Sequence, residues 1–232
     1  MPETELIIAA LGLAFTSEIN LYAATATLGV LGIAGLVGLP AELELVTHPA
    51  VIAAAAFMYV VEFFADKTPG VDTVWDTIHS FIRIPAGAIL AMATVGDVDP
   101  GVQAAALIVG GGLAGAAHGF KAGARVLINT SPEPFTNIGA SVAEDATVIG
   151  GVTLAFLNPA AFLILAVILL AFMIWLTPKI WRGIMALFSR IRALFGGPPP
   201  ERLESRPAKI SLSLKGGEPP SLPNDKGPDA PG

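Results

Sequence analysis

The 232-residue chain contains no cysteine, which excludes a disulfide framework, thiolate chemistry and any cysteine metal site. Charge is scarce too. Asp, Glu, Lys and Arg make up 14% of the residues, against about 25% in a soluble domain. Basic residues are rarest of all in the apolar body. Residues 1–178 hold 14 acids but only 4 Lys or Arg, whereas residues 179–232 hold 5 acids and 9 Lys or Arg. The net charge of −6 thus joins an acidic body to a basic tail, and no nucleic-acid partner is expected. The opening MPETELIIAALGLAF lacks the basic n-region of a cleavable signal peptide, so it reads as a mature N-terminus.

What is present is hydrophobic length. Residues 6–38, 50–64, 84–96, 101–117 and 159–176 are strongly apolar. These runs have the lengths of membrane helices and half-helices, with a lipid bilayer as the surrounding partner. The expected fold is all-α: a polytopic integral membrane protein with discontinuous helices, built from about three helix–break–helix units plus a final span. The transmembrane domain is placed at 1–178, with breaks near 16–20, 66–80 and 118–135. Three segments begin alike, at His48-Pro49, Asp99-Pro100 and Asn158-Pro159, and one unit lies before each, which reads as an internal repeat of pattern. The last span is followed over 179–195 by a basic amphipathic juxtamembrane helix suited to anionic lipid. A disordered Pro/Gly-rich cytoplasmic tail over 196–232 completes the chain. The Gly/Ala-rich 101–117 helix offers a close-packing face for an oligomer.

The polar residues inside the body are patterned. Asp72, Asp76, His79 and Arg83 share one face of a helix, with Asp72 read as its N-cap and Pro85 as a kink. His118, Lys121, Arg125 and Asn129 repeat that spacing. A third stripe runs through Glu133, Asn137, Ser141 and Glu144, with Asp145 beside it and Ser131 and Pro132 as the helix start. Glu18 and Asn20 mark the first break. Glu62, Asp66 and Lys67 mark the end of the second apolar run. Ionisable residues at membrane depth are expensive and mark solute or ion pathways. The Asp72, Asp76, His79 trio is a candidate metal site. His118 reads as a packed, hydrogen-bonded histidine. Tyr22 and the tryptophans read as interface anchors.

The segments SEINLYA, EFFADKTPGVDTVWDTIH-FIR-PAG and H-FKAG-R-LINTSPEPF-N together resemble the bacterial membrane-protein family catalogued as domain of unknown function 4126. The resemblance covers roughly residues 10–180 and implies a polytopic membrane protein with no assigned activity. A partial likeness links Glu62-Phe-Phe-Ala-Asp66-Lys67-Thr68 to the Glu-x-Gly-Asp-Lys-Thr motif of small cation exchangers. Here the Glu–Asp spacing is one residue longer and Ala65 stands in the glycine position.

Three functions compete. The first is a transporter or channel for a small ion or polar solute. Eight acids against four bases in the polar set favour a cation or proton-coupled site, while Lys121 and Arg125 offer the opposite option of clamping an anionic group. The second is a structural membrane scaffold whose stripes are only wet helix faces. The third is a metal-dependent intramembrane enzyme acting on a lipid phosphate, which would hold its cation through oxygen ligands. The acidic connections at 40–49, 96–100 and 158 and the basic residues elsewhere place the N-terminus outside and the C-terminus in the cytoplasm of a bacterial inner membrane.

Overall fold

A computed structural model describes residues 1–68, 70–130 and 134–194. The tail expected over 196–232, Glu133 and the helix start at Ser131 and Pro132 lie outside the described residues. Among the described residues the structure is helical, with no strand. The elements are α1 (Glu3–Ile19), α2 (Leu21–Ile33), a 3-10 segment (Ala41–Thr47), α3 (Pro49–Ala65), α4 (Val71–Val95), α5 (Pro100–Ile128), α6 (Pro134–Leu157) and α7 (Pro159–Leu194).

Helices α4 to α7 are long and apolar enough to cross a membrane, and the 3-10 segment and α3, bent by 65° at their junction, reach that length and apolarity only when taken together. Large apolar side chains face outward along them, among them Phe57, Phe64, Phe81, Ile108 and Ile164. That surface is stable only against lipid. The chain is therefore an all-α polytopic membrane protein.

The three X-Pro dipeptides are helix starts. His48 Nδ1 accepts from the Ala50 amide, Asp99 Oδ1 from Gly101 and Asn158 Oδ1 from Ala161. In each case proline opens the helix, where its missing N–H costs nothing.

Helix α1 is the centre of the bundle and packs on α4, α5 and α6. Small residues allow the approach. A Cβ on Gly12 would lie 2.8 Å from Ala155 Cβ, and one on Gly87 would lie 2.9 Å from Ser17 Oγ. Between α4 and α5 a Cβ on Gly110 would meet Ala91 Cβ at 2.5 Å. Helix α2 then turns back. Thr16 lies against Gly151 of α6 and Asn20 bonds Asp145 one and a half turns earlier on the same helix. Further along α2, Ala23, Val30 and Leu31 share a hollow with Tyr59 and Ile149, and Gly32 reaches Leu39 and Thr47. At about 25 Å and 20 Å, α1 and α2 form a helical hairpin with its tip at Asn20.

Several expectations need correction. The breaks expected over 66–80 and 118–135 are shorter. α4 already begins at Val71 and α5 runs unbroken to Ile128. Asp72 is not the N-cap of α4. Gly70 holds that position at φ +87°, and Asp72 Oδ1 reaches back to accept its amide. Residues 179–194 form no separate helix but extend α7, whose 36 residues are about 54 Å long.

Candidate functional site

The polar stripes meet. α4 packs on α5, and because each stripe recurs at helical spacing, the close packing brings a whole face of one against a whole face of the other. Glu62 and Asp66, at the end of α3, and the α6 residues Asn137, Ser141, Glu144 and Asp145 close the ring. The tip of the α1–α2 hairpin projects into it.

Arg83 is 1% exposed and binds two carboxylates, Glu62 Oε1 at 2.7 Å and Asp76 Oδ1 at 2.8 Å. Lys121 is the hub. Its Nζ donates to the Ile19 carbonyl at 2.8 Å and lies 3.0 Å from Asp76 Oδ1, 3.5 Å from Glu144 Oε2 and 4.0 Å from Asp66 Oδ2. One turn on, Arg125 pairs with Glu144 Oε2 at 2.7 Å, donates to the Asp66 carbonyl at 3.3 Å and to Asn137 Oδ1, and lies 3.8 Å from Asp72 Oδ2. Asn129 Nδ2 donates to both oxygens of Asp72 and to Thr73 Oγ1. Lys67 donates to Ser141 Oγ at 3.2 Å and sits 3.7 Å from Asp145 Oδ2, over the Phe63 ring. Glu18 is fully buried, and its Oε1 lies 2.9 Å from Nδ1 of His118, whose side chain is 27% exposed.

The break at residue 20 explains how backbone enters the site. Asn20 is extended, and its Oδ1 accepts from the Ala23 amide. In an unbroken helix that amide would bond the Ile19 carbonyl. The freed carbonyl is instead met by Lys121. Asn20 Nδ2 donates to Asp145, so one side chain caps α2 and ties the tip to α6.

Every candidate among the described residues belongs to this ring or borders it. Its carboxylates are Glu18, Glu62, Asp66, Asp72, Asp76, Glu144 and Asp145, all buried except Glu144; its fixed cations are Lys67, Arg83, Lys121 and Arg125. Buried carboxylate oxygens without a hydrogen-bond partner remain on Glu18, Glu62, Asp66, Asp76 and Asp145.

The metal trio is not borne by the geometry. Asp72 is committed to Gly70, Asn129 and Thr73, Asp76 to Arg83 and Lys121, and the His79 ring bonds the Trp75 carbonyl and stacks on Trp75 at 4.0 Å. No group of three His, Asp or Glu suited to a metal occurs among the described residues. Tyr22, read as an interface anchor, instead packs edge-on against His79. Sequence reasoning missed Thr73 and the Ile19 carbonyl. Thr73 adjoins Asp72 and was within reach of the stripe argument, whereas a backbone acceptor has no side-chain signal.

A helical membrane protein with a buried ionic ring at its helix breaks is the class that fold and site define. The chain belongs to the family described as Domain of unknown function (DUF4126), whose model matches residues 7–179. No curated protein and no solved structure matches it.

Proposed function

We propose that the protein is a transporter or channel for a small cation, with the buried ring as its site. The observation that carries this reading is the charge imbalance. Seven carboxylates face four Lys and Arg side chains, and five of the carboxylates keep a buried oxygen without a hydrogen-bond partner. An uncompensated buried charge costs several kcal/mol, so the ring draws cations or protons from water. The broken α1–α2 pair, which offers a backbone carbonyl and a helix start at the same depth, supports the reading further.

The protein sits in a bacterial cytoplasmic membrane with its N-terminus outside. The basic end of α7 rests on anionic lipid, and the Gly/Ala face of α5 joins a second copy. The scaffold reading draws on one observation: every Lys and Arg of the ring already has a carboxylate partner.

The test is flux into proteoliposomes under imposed Na⁺, K⁺, NH₄⁺ and proton gradients. Wild-type protein should conduct or exchange at least one of these ions, and Asp76→Asn should abolish it. Correctly inserted wild-type protein that moves none of them favours the scaffold.

A further inference from the structure

Lys121 sits in a position that resembles an occupied binding site. Four oxygens from four different elements surround its ammonium: the Ile19 carbonyl at the tip of α1, Asp66 after α3, Asp76 on α4 and Glu144 on α6. Two of them are at hydrogen-bond distance, 2.8 Å and 3.0 Å. The other two stand at 3.5 Å and 4.0 Å. Ca²⁺ and Mg²⁺ need oxygens at about 2.0–2.6 Å, closer than any of these four, and the spacings are those of N–H donors. Asp66 Oδ1 and Asp76 Oδ2, on buried side chains, have no partner at all. The nest has acceptors to spare.

We infer that the nest around Lys121 Nζ is a binding site for an ammonium-type cation, either the ammonium ion or a primary ammonium group, and that Lys121 is its tethered occupant. This rests on the transport reading of the same ring and names its substrate class. An incoming ammonium takes over the Ile19 carbonyl and Asp76, and Lys121 swings aside on its flexible four-carbon stem. The way in lies past Glu144, whose side chain is 22% exposed, whereas those of Asp66 and Asp76 are 3% and 7% exposed. Other charges nearby are Arg83 and Glu62 behind Asp76, Arg125 one turn along α5, and Glu18 and His118 on the side of the tip. The far side of α5 meets α7 through Ile180 and Gly183.

The experiment is saturable binding of radiolabelled methylammonium to purified full-length protein, in choline chloride at fixed ionic strength. Wild type should bind weakly, with competition by ammonium chloride. Lys121→Met, which empties the nest, should bind at least ten-fold more tightly and should gain thermal stability on adding methylammonium. Equal affinity in the two proteins, or no saturable binding in either, overturns the inference. If Lys121→Met does not fold, wild type alone decides: ammonium-competed binding upholds the site and its absence removes it. Flux of another ion without methylammonium binding would sink this inference and leave transport standing. Tight binding with no flux of any cation would do the reverse.

Discussion

Arg83 is the side chain on which the ring's balance is easiest to test. It holds Glu62 and Asp76 together and is almost wholly enclosed. Removing one partner of a buried ionic set leaves the others uncompensated, at a cost of about 3–5 kcal/mol, against about 0–1 kcal/mol for an exposed pair. Arg83→Ala and Asp76→Ala are therefore expected to lower the melting temperature in detergent sharply. Glu144→Ala should cost less, because Glu144 is partly exposed, although it strips contacts from both Lys121 and Arg125. Unchanged melting curves for all three variants would contradict a buried network. Asn20 makes a separate prediction. Asn20→Ala loses the cap on Ala23 and the bond to Asp145, and cap loss alone costs about 0.5–2 kcal/mol. A milder melting shift than for Arg83→Ala is the expected result.

At the scale of elements, α4 and α5 are held at close range by small side chains, and this decides which glycines matter. Ala at 110 would push its Cβ to 2.5 Å from Ala91 Cβ, while Ala at 112 meets nothing within 4 Å. Gly110→Ala should destabilise by about 1–3 kcal/mol through overpacking. Gly112→Ala should change stability by no more than about 1 kcal/mol, with helix propensity in its favour. Thermal unfolding of the two variants side by side reads the difference, and equal shifts would contradict the packing. The contrast also shows how far the sequence could be read. The stripes at 72, 76, 79 and 83 and at 118, 121, 125 and 129 were legible because the helical period alone fixes a face. The break at Asn20 was legible from its polar neighbours. The extent of the other breaks was not, because a buried polar face and a loop have the same composition; only the opposing stripe tells them apart. Nor was Lys121 on the Ile19 carbonyl legible, since that contact depends on how α5 packs against the tip of α1.

Across the whole molecule the charges sort by end. Gly96 lies beside Pro40 and Glu42, and Gln103 donates to its carbonyl, so the connections with Glu42, Glu44, Asp97 and Asp99 gather at one end of the bundle without Lys or Arg. Toward the other end stand Lys67, Arg83, Lys121 and Arg125. There α7 passes α5 at Gly123 and Leu127 through Ile180 and Gly183, and this end of α7 carries Lys179, Arg182, Arg190 and Arg192. Trp175 and Trp181 are exposed where that basic stretch begins, and Lys179 lies over the Trp175 ring. Aromatic residues settle at the headgroup level and basic ones favour the cytoplasmic face. The basic end should therefore be inside, with both the connections and the start of α1 outside. A reporter that is active only outside the cell should work when fused before Glu3 or within 97–99. It should be silent when fused after Leu194. Activity from the fusion after Leu194 would invert the orientation, and with it the side from which a cation passing Glu144 reaches Lys121.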